Sequence, residues 1–188
     1  MVKNKMSTKT MVLGAILTAL VVVLQFMGAF IRFGVFSISL VLVPIVIGAA
    51  TCGKKMGAWL GFVFGVVVLL SGDAAAFLAV NVPGTIITVL VKGTLCGALA
   101  GIAYDLIKGK SKYAAVAVSA IICPVVNTGV FLIGCLLFFM PTISEWAGSQ
   151  AAIEYMILVL VGANFLVELA VNMILSPVIV RLINVRQR

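Results

Sequence analysis

One lysine interrupts a long apolar stretch of the chain. Lys92 is the only charged residue between Pro83 and Tyr104. If a helix begins near Gly84, Lys92 lies about 12 Å along its axis. Hydrocarbon solvates an ammonium group poorly, so this side chain must face protein, water or an anion. Two interpretations stay open: Lys92 reaches the surface or pairs with a structural carboxylate, or it anchors an anionic or polar solute.

Polar residues also recur late in the chain, within two further apolar stretches. Asn164, Glu168 and Asn172 are spaced four apart, so a helix carries them on one face. At about 1.5 Å per residue, Asn164 is level with Lys92, and Glu168 and Asn127 lie one turn deeper. We therefore expect Lys92 and Asn164 to contact a solute, above a deeper hydrogen bond between Asn127 and Glu168. A structural role stays open for each, with Glu168 paired to Lys92 or the amides joining helices without a ligand.

Other chemistries lack their residues. The chain has no histidine, and none of its four cysteines forms a CxxC pair, so we expect neither a metal site nor a cofactor. Gly109-Lys110-Ser111 resembles the end of a phosphate-binding loop, but Tyr104 stands where that motif requires a glycine. An enzyme is therefore the weaker functional class.

The composition is that of an integral membrane protein. The 188 residues are 64% hydrophobic and 10% charged, far from the balance of soluble domains. The net charge of +8 comes from short basic clusters between apolar runs, which does not favour a nucleic-acid partner. We expect a single domain over residues 1–188, an all-α membrane protein with six transmembrane helices in one bundle.

The basic clusters predict the orientation of these helices. Eleven of the thirteen basic residues fall at alternate ends of the predicted spans, so both termini are expected in the cytoplasm. The spans are predicted at residues 11–31, 36–52, 56–71, 84–106, 113–139 and 153–183.

Two connections on the opposite side carry charged, aromatic or amide side chains. Arg32 and Phe33 lie in the first, and Asp73 and Asn81 lie in the second. Aromatic residues at this depth are often interfacial belt residues. Loops over a cavity mouth can also act as a lid, so Arg32, Phe33 and Asp73 are candidate lid residues and Asn81 is a candidate solute contact.

Small residues repeat at spacings that let helices pack backbone to backbone. They are Ala15 and Ala19, then Gly57, Gly61 and Gly65, then Gly93, Gly97 and Gly101. For the glycine rows, packing within the bundle is one interpretation, and packing against another membrane protein is the other.

These features together resemble the substrate-binding S component of an energy-coupling factor vitamin transporter. The resemblance runs along the whole chain, in six spans of a small basic protein. It is carried by Ala15-Ile-Leu-Thr-Ala19, Pro44-Ile-Val-Ile-Gly48, Gly53-Lys-Lys-Met-Gly57, Gly61-Phe-Val-Phe-Gly65, Asn127-Thr128 with Leu137-Phe-Phe139, and residues 164–177.

The resemblance implies a binding subunit without catalysis of its own. Such proteins hold a vitamin near the outer face of the cell membrane, between helices 4, 5 and 6 and under the two outer loops. They dock onto a membrane coupling protein that carries two ATPases, and Ala15 and Ala19 would be docking contacts. The subgroup resembling pantothenate and riboflavin carriers matches best.

Lys92 favours a carboxylate-bearing solute such as pantothenate, because the anion partly neutralises a buried cation. If Lys92 instead pairs with Glu168, a neutral solute such as riboflavin is equally acceptable. Two other classes stay open: a small membrane enzyme acting on lipid, and a structural membrane subunit with a solid interior.

Overall fold

A computed structural model describes residues 7–30, 32–33, 36–37 and 40–186. The described chain is almost entirely helical. Its elements are α1 (Thr8–Phe30), β1 (Arg32–Phe33), β2 (Phe36–Ser37), α2 (Leu42–Cys52), α3 (Lys54–Leu70), α4 (Ala75–Leu78), α5 (Val82–Ile107), α6 (Lys112–Phe138), α7 (Met140–Ala147), α8 (Ala152–Tyr155), a π-helical segment (Met156–Gly162) and α9 (Ala163–Arg186).

Local sequence signals set where the long helices begin. Asn81 precedes α5, and its side-chain oxygen accepts a hydrogen bond from the Gly84 amide at 2.9 Å. Ser111 caps α6 in the same way through the Ala114 amide, at 3.3 Å. Gly53 joins α2 to α3 with a φ of 89°, a conformation that costs little only for glycine. The helices therefore reverse direction at turns that the sequence encodes.

The helices pack as one bundle in which α5 and α6 are central. Helix α3 packs against α5, α5 against α6, and α6 against α9, while α1 and α2 pack on the α3–α5 side. The rows of glycine form the α3–α5 contact, because a Cβ on Gly61 or Gly93 would overlap the carbonyl oxygen of the other. The first interpretation of these rows, packing within the bundle, is thus confirmed.

The exposed surface is unusually apolar for a soluble protein, and several polar side chains are buried. Large apolar side chains such as Leu106, Ile174 and Leu70 are more than 70% exposed. Polar side chains are buried instead, and these are Gln25, Thr85, Thr88, Ser119, Asn127, Glu168 and Asn172. Apolar groups on the outside and polar groups inside suit a chain whose solvent is lipid.

Four of the described helices are long and apolar enough to cross a membrane. They cover Thr8–Gly28, Val82–Ile107, Lys112–Phe138 and Ala152–Arg181. Helix α3 has 17 residues and α2 has 11, so α2 spans only about 16 Å of a hydrocarbon core about 30 Å thick. The predicted membrane character is confirmed, and the count of six crossings stays a prediction.

The predicted second span begins too early. Residues 36–37 form β2, which pairs antiparallel with β1, and the helix starts only at Leu42. Short apolar runs rich in aromatic and β-branched residues suit strands as well as helices, so hydropathy does not separate the two. Helix α7 was also not predicted, and it follows α6 almost directly through Phe139.

Candidate functional site

Lys92 lies in the interior of the bundle, between aromatic rings. Its Nζ is 5.3 Å from the centre of the Phe131 ring and 5.7 Å from that of Phe64. Both distances suit cation–π attraction. Among the described residues, Lys92 forms no ion pair, with Glu168 or any other acid. Among the described residues, the ammonium group therefore has aromatic neighbours and no ion pair, although Glu168 lines the same cavity.

A cavity of about 50 Å³ lies beside Lys92, between α5, α6, the π-helical segment and α9. We call it the polar cavity. Its lining brings together four of the predicted site residues, Lys92, Asn127, Asn164 and Glu168. They come from three helices that are distant in sequence, and apolar helices turn such side chains inward because lipid excludes them. The predicted grouping of these four residues is therefore present in the structure.

The polar stripe on α9 is linked along its own helix. The Asn164 side-chain amide donates to Glu168 Oε1 at 3.4 Å, and the Asn172 amide donates to the Glu168 carbonyl at 2.8 Å. The predicted hydrogen bond between Asn127 and Glu168 is wrong, because no bond joins them in the described structure. Glu168 instead accepts a hydrogen bond from Asn164, which lies one turn away on the same helix, whereas Asn127 lies on α6.

Three buried oxygen atoms at the site lack a hydrogen-bond donor in the part of the chain that the structure describes. They are Asn127 Oδ1, Asn164 Oδ1 and Thr88 Oγ1. Buried polar atoms without partners are rare in folded proteins and destabilise them by about 1–3 kcal/mol each. Asn127 and Asn164 line the polar cavity with Lys92, and Thr88 lines a neighbouring cavity with Lys92, so unpaired acceptors and a cation occur around the same space.

A second cavity of about 40 Å³ adjoins the first. We call it the aromatic cavity, because Phe77, Phe131 and Phe139 line it, with Thr88, Asp73 and Lys92. Phe77 packs edge-on against Phe139 and Phe131, with ring centres 5.0 and 5.5 Å apart. Since Lys92 and Phe131 line both cavities, these two side chains form the boundary between them.

The connection between α3 and α4 borders the aromatic cavity. Asp73 lies there, and its Oδ2 accepts a hydrogen bond from the amide of Gln25 on α1 at 3.1 Å. Gln25 is only 1% exposed, so this contact ties α1 to the rim of the cavity. The other predicted lid residues, Arg32 and Phe33, belong to β1, and their side chains lie outside the described residues.

Asn81 is not brought to either cavity. Its side chain caps α5, which occupies the oxygen that a solute would otherwise meet. The expectation that Asn81 contacts a solute rested on an amide in a loop, and capping is a common use of asparagine there. The structure thus gives Asn81 a role in starting the helix.

Ala15 and Ala19 lie far from the cavities, on an exposed face of α1. With Trp59 of α3 they line an open, mainly apolar groove of about 850 Å³. The Trp59 indole donates to Thr18 Oγ1 at 3.2 Å and remains 51% exposed. The groove is a surface on which another apolar helix can pack.

Sequence reasoning missed Thr88, Phe131 and Gln25. Threonine and phenylalanine are ordinary in apolar helices, so nothing in the sequence distinguishes Thr88 or Phe131 from packing residues. Gln25 did carry a signal, since it is an uncharged polar residue within the first apolar run. An intramembrane amide of this kind needs a partner, and Asp73 is that partner.

The sequence matches the model of one known protein family. The family model described as "ECF transporter, substrate-specific component" matches residues 9–180. No curated protein and no solved structure matches the chain significantly. The match covers nearly the whole chain, including the four predicted site residues that line the polar cavity. The chain therefore belongs to the family of ECF transporter substrate-specific components, which bind a vitamin or other micronutrient for uptake with an ECF module and are transport subunits, not enzymes.

Proposed function

We propose that the chain binds a B-type vitamin with high affinity at the outer face of the cell membrane, and that this vitamin is pantothenate. The observation that carries the proposal is the polar cavity, which Lys92, Asn127 and Asn164 line together. Among the described residues, Lys92 has no ion pair and the two amide oxygens have no donor. Pantothenate has a carboxylate for the cation and hydroxyl and amide N–H groups for the oxygens. Lys92 and the two amide oxygens of the protein would then each gain a partner from the solute.

The unpaired state of Lys92 favours an acidic solute over a neutral one. Pairing of Lys92 with Glu168 would make riboflavin equally acceptable, and no such ion pair forms among the described residues. In the proposed complex, Lys92 binds the carboxylate, while Asn127 and Asn164 accept hydrogen bonds from the donors of the solute. Glu168 orients Asn164 through the bond at 3.4 Å.

A thermal-shift and titration experiment on the purified protein tests this assignment. A panel of pantothenate, riboflavin, thiamine and biotin is added in excess, and pantothenate is expected to raise the melting temperature by mass action. Lys92→Ala is expected to weaken pantothenate binding about 10- to 100-fold, since hydrogen bonds to charged groups contribute about 1.5–3 kcal/mol. Lys110→Ala removes an exposed loop lysine and is the matched control. No shift with any vitamin, or equal affinity in both variants, contradicts the proposal.

We also propose the membrane arrangement expected from the sequence, with six crossings in one domain over residues 1–188 and both termini in the cytoplasm. The supporting feature is charge: the α2–α3 turn and the α5–α6 connection both carry clustered lysines, as does the N-terminus. Arg32, Phe33 and Asp73 are then on the outer side, where they act as the lid of the cavities. Reporter tags at residues 109 and 188 are expected to be reachable only from the cytoplasm, and labelling from outside contradicts this topology.

The groove beside Ala15 and Ala19 is the proposed docking surface for the membrane coupling protein, which carries two ATPases. Small exposed residues and the partly exposed Trp59 give an apolar helix room to approach. Ala19→Trp fills the groove and is expected to abolish uptake in cells while leaving pantothenate binding unchanged. Leu20→Trp places the same ring at the next exposed position of α1 and is the control. Normal uptake by the Ala19→Trp variant contradicts this docking site.

A further inference from the structure

We infer that the aromatic cavity is a second compartment of the solute site, in which Thr88 binds the uncharged end of the solute. The inference rests on the proposed function and deepens it by naming the chemistry of that end. It predicts an elongated organic acid with its carboxylate at Lys92 and, at the other end, an apolar group that carries a hydroxyl or carbonyl.

Thr88 differs from the other threonines of its helix. Thr85 and Thr94 both donate to the carbonyl oxygen four residues earlier, each at 2.7 Å. This bond is the usual way in which a membrane helix satisfies a threonine hydroxyl. Thr88 Oγ1 has no partner among the described residues although Thr88 is only 5% exposed. Its hydroxyl thus has no partner in the wall of the cavity that Thr88 lines.

The position of Thr88 follows from a glycine on the neighbouring helix. Gly134 of α6 faces Thr88, and a Cβ at Gly134 would overlap the Thr88 side chain. The missing side chain lets α5 and α6 approach while the Thr88 side chain occupies the space over Gly134. Close packing therefore holds Thr88 at the cavity wall, even though its polar atom has no partner there.

The two cavities are adjacent at Lys92. Both Lys92 and Phe131 line each cavity, so a solute held at the ammonium group can extend past the Phe131 ring. On the far side, Val68, Phe77 and Phe139 supply an apolar wall. Asp73 is engaged by Gln25, and the Thr85 hydroxyl donates to the Asn81 carbonyl. Thr88 is therefore the lining hydroxyl that has no partner among the described residues.

The test compares Thr88→Val with the wild type by calorimetric titration of pantothenate and by thermal unfolding without ligand. Valine keeps the shape of threonine and removes the hydroxyl. Affinity is expected to fall about 5- to 10-fold, the usual effect of one hydrogen bond. The melting temperature without ligand is expected to stay the same or rise, because an unpaired buried oxygen is removed. A merely structural threonine would give the opposite pattern.

Thr94→Val is the matched control, because its hydroxyl is bonded within α5 and Thr94 lines neither cavity. It is expected to leave the affinity unchanged and to lower the melting temperature slightly. Thr88→Ser retains the hydroxyl and is expected to restore binding. If Thr88→Val does not fold, Thr88→Ala against Thr88→Ser gives the same comparison.

The outcomes separate this inference from the function on which it rests. Wild-type binding of pantothenate with equal affinity in Thr88→Val overturns the second compartment and leaves the proposed function standing. If the wild type binds another vitamin of the panel instead, pantothenate is overturned, and the same Thr88 comparison with that vitamin decides the compartment. If no vitamin binds, both proposals fail.

Discussion

The α3–α5 interface is closely packed, whereas the α6–α9 interface contains a cavity. Between α3 and α5, glycines face each other so closely that carbonyl oxygens occupy the positions where side chains would begin. Between α6 and α9, Asn127 and Glu168 are buried, oxygen atoms lack donors, and a cavity remains. The helices of the α3–α5 interface are in backbone contact, and the space between α6 and α9 is lined with polar side chains.

The difference indicates which half of the bundle is built for a ligand. Membrane helices gain stability from close packing, since lipid gives them little hydrophobic driving force to associate. The glycine interface follows that rule. The cavity side departs from it, since buried oxygen atoms there have no partner among the described residues. Helix α5 belongs to both halves, because one face carries the glycines and another carries Thr88 and Lys92.

The largest effect is expected from breaking the glycine interface. Gly61→Val places a branched side chain against the backbone of Gly93, where neither helix can yield without moving. Overpacking of this kind costs about 3 kcal/mol or more. Thermal unfolding in detergent is expected to begin roughly 6–12 °C lower, or the protein fails to elute as a single species.

Gly129→Ala is the control for this change, because no atom outside its own helix lies within 4 Å of the added Cβ. It is expected to leave the melting temperature unchanged or raise it, since alanine favours a helix over glycine. Equal effects of the two substitutions would show that the α3–α5 contact is not the packed half of the molecule.

The extent to which the sequence predicted this fold follows from the length of each apolar run. The spans predicted at 84–106 and 113–139 agree with α5 and α6 to within two residues at each end. Long runs bounded by capping residues leave few alternatives. The stretch before Leu42 is short and mixed, and hydropathy did not reveal β2 or the late start of α2.

Sequence reasoning predicted site residues only where a charged or amide side chain lies within an apolar helix. Lys92 and Glu168 are charged residues in apolar helices, so their inward orientation follows from the cost of exposing them to lipid. Thr88 has no such cost, because a threonine hydroxyl ordinarily bonds to its own helix. Its unpaired oxygen is a property of packing against Gly134, which no pattern within α5 contains.

A smaller effect, confined to the cavity half, is expected from Asn127→Leu. The variant removes an unpaired buried oxygen, so the melting temperature without ligand is expected to hold or rise. Pantothenate affinity is expected to fall about 10-fold as one hydrogen bond is lost. Asn172→Leu is the contrast: Asn172 lies outside both cavities and bonds the Glu168 carbonyl at 2.8 Å. Asn172 Oδ1 also lacks a partner among the described residues, so the loss of that bond is partly offset and the variant is expected to melt close to the wild type with its affinity unchanged. The reverse pattern would place the solute nearer Asn172.

The smallest effect is expected from Asn81→Ala, at the start of the helix that the two halves share. Losing this cap costs about 1 kcal/mol, or roughly 2–4 °C in melting temperature for a chain of this size. Pantothenate affinity is expected to stay at the wild-type value, because the side-chain oxygen of Asn81 is bonded to Gly84 and lines neither cavity. Ser111→Ala removes the corresponding cap of α6, where the bond is longer at 3.3 Å, and is expected to lower the melting temperature less. A loss of affinity in Asn81→Ala alone would extend the binding half of the bundle to the first turn of α5, beyond the cavities that Lys92 and Phe131 divide.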